Sequence, residues 1–361
     1  MKQDVFTPAR KGLDLGGILR KNAVPIVFLI LCSVCYYYAR VPFFFFANDL
    51  ITRLSRNSFM VISLIIPVLA GVGLNFGIVL GAMAGQFGAI VSVVYNVGGV
   101  PGILLSGLVA LPLAILFGVL TGMLFNRAKG KEMITGMILG YFANGLYQLV
   151  CLFMVGTVIH LSDVNLLLPS GVGLINTIDL KLWHYALDKM YVFKVMRMIN
   201  IPVVTLTIVA VLCFLVNLLF KTKLGQDLRA VGQNRQIAEV AGINVNKVRI
   251  IAIVFSTVLA AWGQIIFLQN MGNLNTYGSH VQVGTFAVAA LLIGGASVSQ
   301  ATIKQAIVGT ILFHSLFILS PMAGKNLMGS AQVGEFFRVF VAYGVIGIAL
   351  ALHAWQRRSR K

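Results

Sequence analysis

The sequence predicts an all-α polytopic membrane protein with about ten transmembrane helices, and three observations carry that prediction. Of 361 residues, 58% are hydrophobic and 11% charged, against roughly 25% charged in an ordinary soluble domain. Mean hydropathy is +0.91. The apolar residues gather in runs close to the roughly 20 residues that a bilayer core requires of a helix. A soluble globular enzyme is thereby excluded. The net charge of +18 sits in clusters between the runs instead of on one basic face. That argues against nucleic acid as a partner and for cytoplasmic loops, because Lys and Arg resist translocation.

Met1–Asn22 carries Lys2, Arg10, Lys11, Arg20 and Lys21 and precedes the apolar run Ala23–Ala39. The run ends in Tyr36, Tyr37, Tyr38 and Arg40 with no small-residue cleavage pattern, so it reads as a retained first span with an aromatic interface anchor. Val41–Asn57 mixes Phe43–Phe46 with Asn48, Asp49, Arg53 and Arg56 and reads as an interfacial helix. Further runs cover Ser58–Leu74, Gly77–Tyr95, Ile103–Phe125, Met133–Val155, Ile201–Phe220, Ile250–Leu268, Gly284–Ala296, Ala301–Leu319 and Phe336–His353. The run at Gly284–Ala296 is short for a span, which points to a short or broken helix packed inside the protein. Gly77, Gly81 and Gly85 recur at four-residue spacing, a pattern that lets helix backbones approach closely. Cys32, Cys35, Cys151 and Cys213 lie in apolar runs and read as small buried thiols.

With ten crossings and a cytoplasmic N-terminus, the basic segments Met1–Asn22, Arg127–Lys131, Lys221–Arg249 and the tail Arg357–Lys361 all fall on one side. Both termini are therefore expected in the cytoplasm. The chain is read as one transmembrane unit over residues 1–361, with an outer loop at 156–200 and a cytoplasmic loop at 221–249. The outer loop holds Asp163, Asp179, Asp188, Trp183, His184 and Tyr185, and its stretch Leu182–Met198 is expected to form a surface helix. It either docks a partner or covers the bundle. In the cytoplasmic loop, Asn234 is placed as an N-cap, Arg235–Ala241 as a short helix, and Gly242 as the residue that ends it.

Polar side chains inside spans turn inward because facing lipid is costly. Tyr141, Asn144 and Gln148 recur on one face of the Met133–Val155 run, and Asn75, Gln86, Gln264 and Asn270 are further candidates for a translocation pathway. The alternative is that these groups only tie helices together by hydrogen bonds. The five histidines, His160, His184, His280, His314 and His353, show no metal-ligand spacing. No nucleophile and base can be assembled at membrane depth, which disfavours an embedded enzyme. No Gly-x-x-x-x-Gly-Lys-Ser/Thr phosphate loop occurs. None of the ten acids lies in the middle of a candidate span, which counts against the alternative of an ion-coupled secondary transporter.

The cytoplasmic loop resembles the coupling loop of permease subunits in bacterial ATP-binding-cassette importers, in the branch serving ribose-type sugars, nucleosides and branched-chain amino acids. The resemblance rests on Gly225, Leu228, Arg229, Ala230, Gly232, Asn234, Ala238, Ala241, Gly242 and Ile243, then Val245 and Lys247 before a helix with Ser256 and Ala260. Weaker similarity extends from about Leu50 to His353. Where many sugar permeases have an acidic stretch, this chain has Gly73-Leu-Asn75-Phe-Gly77-Ile, and its late segment Gly294–Gln300 lacks the second glycine cluster. The resemblance implies a type II importer-like permease fold in the bacterial cytoplasmic membrane, in contact with membrane lipid. It also implies a second permease subunit, partner ATPase subunits that bind ATP and Mg, and an extracytoplasmic substrate-binding protein. No cofactor or metal is expected in this chain. Arg229, Gly232, Asn234, Arg235, Gln236, Glu239 and Gly242 are then expected to couple to the ATPase, with Ile237, Val240 and Ala241 as an apolar face seated in its cleft. A sugar is the first expectation for the substrate, then a nucleoside, then a branched-chain amino acid.

Overall fold

The computed structural model describes residues 22–160, 163–195 and 198–358. The basic N-terminal segment up to residue 21 and the last three residues of the basic tail lie outside it.

The chain is almost entirely helical: α1 (Ala23–Ala39), α2 (Phe43–Ser63), α3 (Ile65–Leu69), α4 (Ile78–Val94), α5 (Gly99–Ala128), α6 (Glu132–Leu149, extended by a π turn over Val150–Met154), α7 (Val203–Leu219), α8 (Lys223–Gln233), α9 (Arg235–Val240), α10 (Val245–Met271), α11 (Ser279–Ile293), α12 (Ile303–Met328) and α13 (Ala331–Arg358). It is an all-α, multi-pass membrane fold. Among the described residues, five helices are long and apolar enough to cross a bilayer: α5, α6 with its π turn, α10, α12 and α13 over Ala331–Ile348. A sixth is gained if α7 and α8, bent by 74°, are taken together. Of the ten expected spans, five or six thus meet this test of length and composition, and the others fall short for physical reasons that differ by helix. Apolar α1, α4 and α11 are only 17, 17 and 15 residues long, and α2 carries Asp49, Arg53 and Arg56.

Residues 41–57 are not a separate interfacial helix. They begin α2, which runs unbroken to Ser63 and buries Ser55–Ser63 almost completely. Its charges are tolerated because they are paired: Arg53 meets Asp49 at 3.0 Å, one turn earlier, and Arg56 reaches Asn270 of α10 at 2.8 Å. The backbone leaves helix over Gly71–Gly77, where Gly71 and Gly73 have positive φ, and α4 starts at Ile78.

α10 is the central post, packed against α2, α4 and α5, while α12 binds α1, α2 and α13. A Cβ on Gly81 or Gly85 would overlap the carbonyl oxygens of Thr257 or Ala261 on α10, so the glycine stripe is a backbone-to-backbone seam. Residues Gly284–Ile293 of the Gly284–Ala296 run belong to α11, a short helix whose Ala287–Ile293 stretch is buried throughout. By contrast, α6 leaves Ile134, Ile138, Tyr141, Phe142, Leu146 and Phe153 exposed.

Among the described residues of 182–198 there is no surface helix. Lys181–Trp183 form one 3-10 turn, and β2 (Val192–Val195) pairs antiparallel with β3 (Ile199–Pro202). A second antiparallel pair, β1 (Thr177–Asp179) with β4 (Asn273–Asn275), straps the loop to the end of α10. The alternation Thr177-Ile178-Asp179 explains the strand, since Ile178 points into the body and its neighbours point out. Ile178, Leu180 and Trp183 are all buried. The Lys181 ammonium, 2.7 Å from Asp179, holds that exposed carboxyl below the usual carboxylate range.

Candidate functional site

Two groups of residues singled out in the sequence occupy two separate places. The first is the α8–α9 element. Thr222 caps α8 by accepting the Gly225 N–H. Asn234 then caps α9, its Oδ1 accepting the backbone N–H groups of Gln236 at 3.0 Å and Ile237 at 3.1 Å, which satisfies donors that a helix start leaves free. At the other end, the Gly242 N–H bonds the Glu239 carbonyl and the Ile243 N–H bonds the Ala238 carbonyl, both at 3.0 Å. With Gly242 at φ +81°, this is a Schellman stop. Six residues are thus fixed as a helix by their two ends.

What α9 shows outward is apolar. Ala238 faces the body, whereas Ile237 is 67% exposed and Val240 91% exposed. Gln236 and Glu239 flank them, also exposed. Arg235 points back to Asn246 at 3.3 Å. Arg229 lies on the preceding helix with its guanidinium 5.3 Å from the Phe220 ring, a cation–π contact. Gly232 fixes where α8 meets the membrane-embedded part: a Cβ there would overlap the Leu69 carbonyl oxygen of α3. Of the seven residues, Asn234 and Gly242 shape α9, Gly232 seats α8, and Gln236 and Glu239 face outward.

Sequence reasoning did not find Arg249 and Glu132, which lie beneath this element. Arg249 belongs to the first turns of α10 and bonds Glu132, the first residue of α6, at 2.6 Å, with side chains 3% and 9% exposed. The pair shares a cavity of about 290 Å³ with Gly71, Gly232 and Arg235. The apolar period around Arg249 shows that it sits on a helix, but its partner is 117 residues away, beyond any local signal.

The second group comprises the polar side chains of the spans, and the structure gathers only some of them. Gln86 of α4 is fully buried and donates from Nε2 to the carbonyls of Thr276 at 2.6 Å and Asn275 at 3.2 Å and to the Tyr147 hydroxyl at 3.0 Å. Its Oε1 lies 3.2 Å from His280 Nδ1, and His280 Nε2 lies 2.9 Å from Asn144 Oδ1. Gln86, Asn144, Tyr147 and His280 therefore form one cluster joining α4, α6 and α11. Tyr147 and His280 were not singled out in the sequence; a lone histidine at the start of a short apolar run gives no signal of its own.

The remaining candidates lie elsewhere. Tyr141 is exposed on the outer face of α6 and Gln148 is half-buried. Asn75 donates to Ser256 at 3.3 Å and Gln264 to Ser279 at 3.2 Å, each keeping a buried carbonyl oxygen without a protein partner. Asn270 joins a different network, bonding Asp188 of the outer loop at 2.5 Å while accepting from Arg56. Thr205 of α7 donates to the same carboxylate. No group of three or more potential metal ligands occurs among the described residues.

Residues 46–350 match the family described as branched-chain amino acid transport system / permease component. The ribose import permease protein of Escherichia coli is 24% identical over 314 residues, covering 86% of each chain. The nucleoside ABC transporter permease protein of Lactococcus lactis subsp. cremoris is 27% identical over 251 residues, 66% of this chain and 72% of the relative. The xylose transport system permease protein of Haemophilus influenzae is 28% identical over 167 residues, 45% and 41% of the two chains. No solved structure matches. The family match takes in the core helices, the outer loop and the α8–α9 element together, and it sets aside the ion-coupled and embedded-enzyme alternatives. The chain belongs to the branched-chain amino acid transport system / permease component family and is a permease subunit of a bacterial ATP-binding-cassette import system.

Proposed function

We propose that this subunit admits a small hydroxyl-rich solute, a ribose-type sugar first and a nucleoside next, using ATP bound with Mg and hydrolysed in a partner subunit. The carrying observation is α9: a helix fixed at both ends that holds Ile237 and Val240 out, away from its own protein. Unpartnered apolar residues at i and i+3 on a short helix suit seating in the groove of a soluble partner. Arg229, Gly232, Asn234, Arg235, Gln236, Glu239 and Gly242 make up the coupling element in this reading.

The pathway reading assigns Asn75, Gln86, Tyr141, Asn144, Gln148, Gln264 and Asn270 to the route, with the Gln86–Asn144–His280 cluster as its best-supported part. Neutral amides suit hydroxyl groups, which need both donors and acceptors. The names of the ribose and nucleoside relatives support the same substrate order. A second permease subunit against the exposed face of α6 and an extracytoplasmic binding protein at the outer loop complete the importer. The chain crosses the bacterial cytoplasmic membrane ten times, through α1, α2, α4, α5, α6, α7 and α10–α13, with both termini in the cytoplasm. The positive-inside rule supports that orientation.

The test is reconstitution of the whole importer in liposomes, with uptake of labelled ribose and of a nucleoside measured with and without ATP on the ATPase side. ATP-dependent uptake of either one, competed by its own class, is the expected result. Uptake under an ion gradient without ATP would contradict the reading.

A further inference from the structure

A cleft of about 550 Å³ opens between the start of α8 and the start of α10, lined by Lys223, Leu224, Asp227, Ala241–Asn244, Lys247, Val248 and Ile251. Its lining is divided by chemistry. Lys223 and Lys247 are both exposed, and neither forms an ion pair among the described residues, although Asp227 lines the same cleft. Leu224, Val248 and Ile251 give an apolar wall. Four residues beyond Ile251, on the same face of α10, Phe255 is 41% exposed and continues that wall along the spanning helix. This face stays open because α7, the preceding span, packs on α2 and β2.

A ligand matching this lining is anionic at one end and apolar along the other. Two lysines without partners attract negative charge, and the apolar strip runs from them toward the depth of the bilayer. A free anion would leave the strip uncovered, and a soluble acidic peptide would have to enter the membrane to cover it. An anionic phospholipid satisfies both halves at once, since juxtamembrane lysines are drawn to anionic headgroups and apolar helix surface to acyl chains. We propose that this cleft binds the headgroup of an anionic phospholipid of the cytoplasmic leaflet, with an acyl chain lying along Ile251 and Phe255. The site flanks α9, so the bound lipid steadies the turn Gly242–Asn244 from which the coupling helix is hung. The inference rests on the cytoplasmic placement of residues 221–249 proposed above.

The test is native mass spectrometry of the full chain released from membranes containing phosphatidylglycerol and phosphatidylcholine, comparing wild type with K223Q, K247Q and the double variant. The wild type should retain phosphatidylglycerol in preference to phosphatidylcholine, and each substitution should lower retention about fivefold. Added inorganic phosphate should not displace the lipid. Equal retention by the double variant, no preference for phosphatidylglycerol, or displacement by inorganic phosphate would each overturn the assignment. Labelling of a K129C variant with a membrane-impermeant maleimide separates the two readings. Labelling from the cytoplasmic side without lipid preference sinks the lipid site alone, whereas labelling only from outside sinks the orientation and the lipid site with it.

Discussion

The two long loops of this molecule are anchored to it in different ways. In the outer loop, Ile178, Leu180 and Trp183 are buried, and the segment is strapped to the end of α10 by β1 and β4. In the α8–α9 loop, Ile237 and Val240 point away from the protein, and α9 is held by its caps, by Ala238 and by the hydrogen bond from Arg235 to Asn246. Burial of apolar surface stabilises by roughly 25 cal/mol per Å², so Ile178, Leu180 and Trp183 anchor the outer loop on its own protein while Leu182, Met190, Tyr191 and Phe193 stay exposed, whereas α9 has only Ala238 buried. In the proposed reading, a short helix kept rigid while its apolar face stays open is finished by another chain. On the reading proposed above, the outer loop has an apolar anchor of its own and the inner loop transmits force to a partner.

Substitutions sharpen this contrast. The largest stability effect is expected where charge is buried: Arg249→Ala leaves Glu132 unpaired and should cost about 3–5 kcal/mol, read as a fall in thermal stability in detergent. Trp183→Ala in the outer loop empties a packed site and should cost a similar ~3–5 kcal/mol, with loss of protease resistance confined to the outer side. If Trp183→Ala were neutral, the outer loop would not have the apolar anchor that the comparison gives it. Asn234→Ala removes the side-chain acceptor of two backbone N–H groups, those of Gln236 and Ile237, and should cost about 1 kcal/mol. Hydrogen exchange would register that change at Gln236 and Ile237. Val240→Ser should alter stability by less than about 0.5 kcal/mol, as expected for a surface position without contacts, and yet reduce ATP-driven uptake. A marked loss of stability in that variant would mean the side chain serves its own protein.

Much of this was legible in the sequence, and the limits have physical causes. The α9 helix was readable residue by residue, because Asn234 and Gly242 act locally and caps are written in short patterns. The runs Ile103–Phe125 and Ala301–Leu319 were readable from their apolar content, and the helices extend over Gly99–Ala128 and Ile303–Met328. Helix α2 was not, since Asp49, Arg53 and Arg56 look interfacial until their partners, one of them 214 residues away, bring them inside. The strands of the outer loop were missed because β1 is three residues long and is defined by its pairing with a segment about a hundred residues later. His280 was passed over for the same reason: its neighbours Gln86 and Asn144 come from other helices. Local physics was visible, and long-range pairing of polar groups was not.

The most direct test replaces both outward apolar residues of α9 with charge, in an I237D/V240D variant assembled with its ATPase, binding protein and permease partner. Since neither side chain is buried in this chain, insertion and thermal stability should match the wild type. ATP-driven uptake should fall by tenfold or more, as expected when central interface anchors are lost. Unchanged uptake at unchanged stability would contradict the account, because α9 would then carry no coupling through its open face.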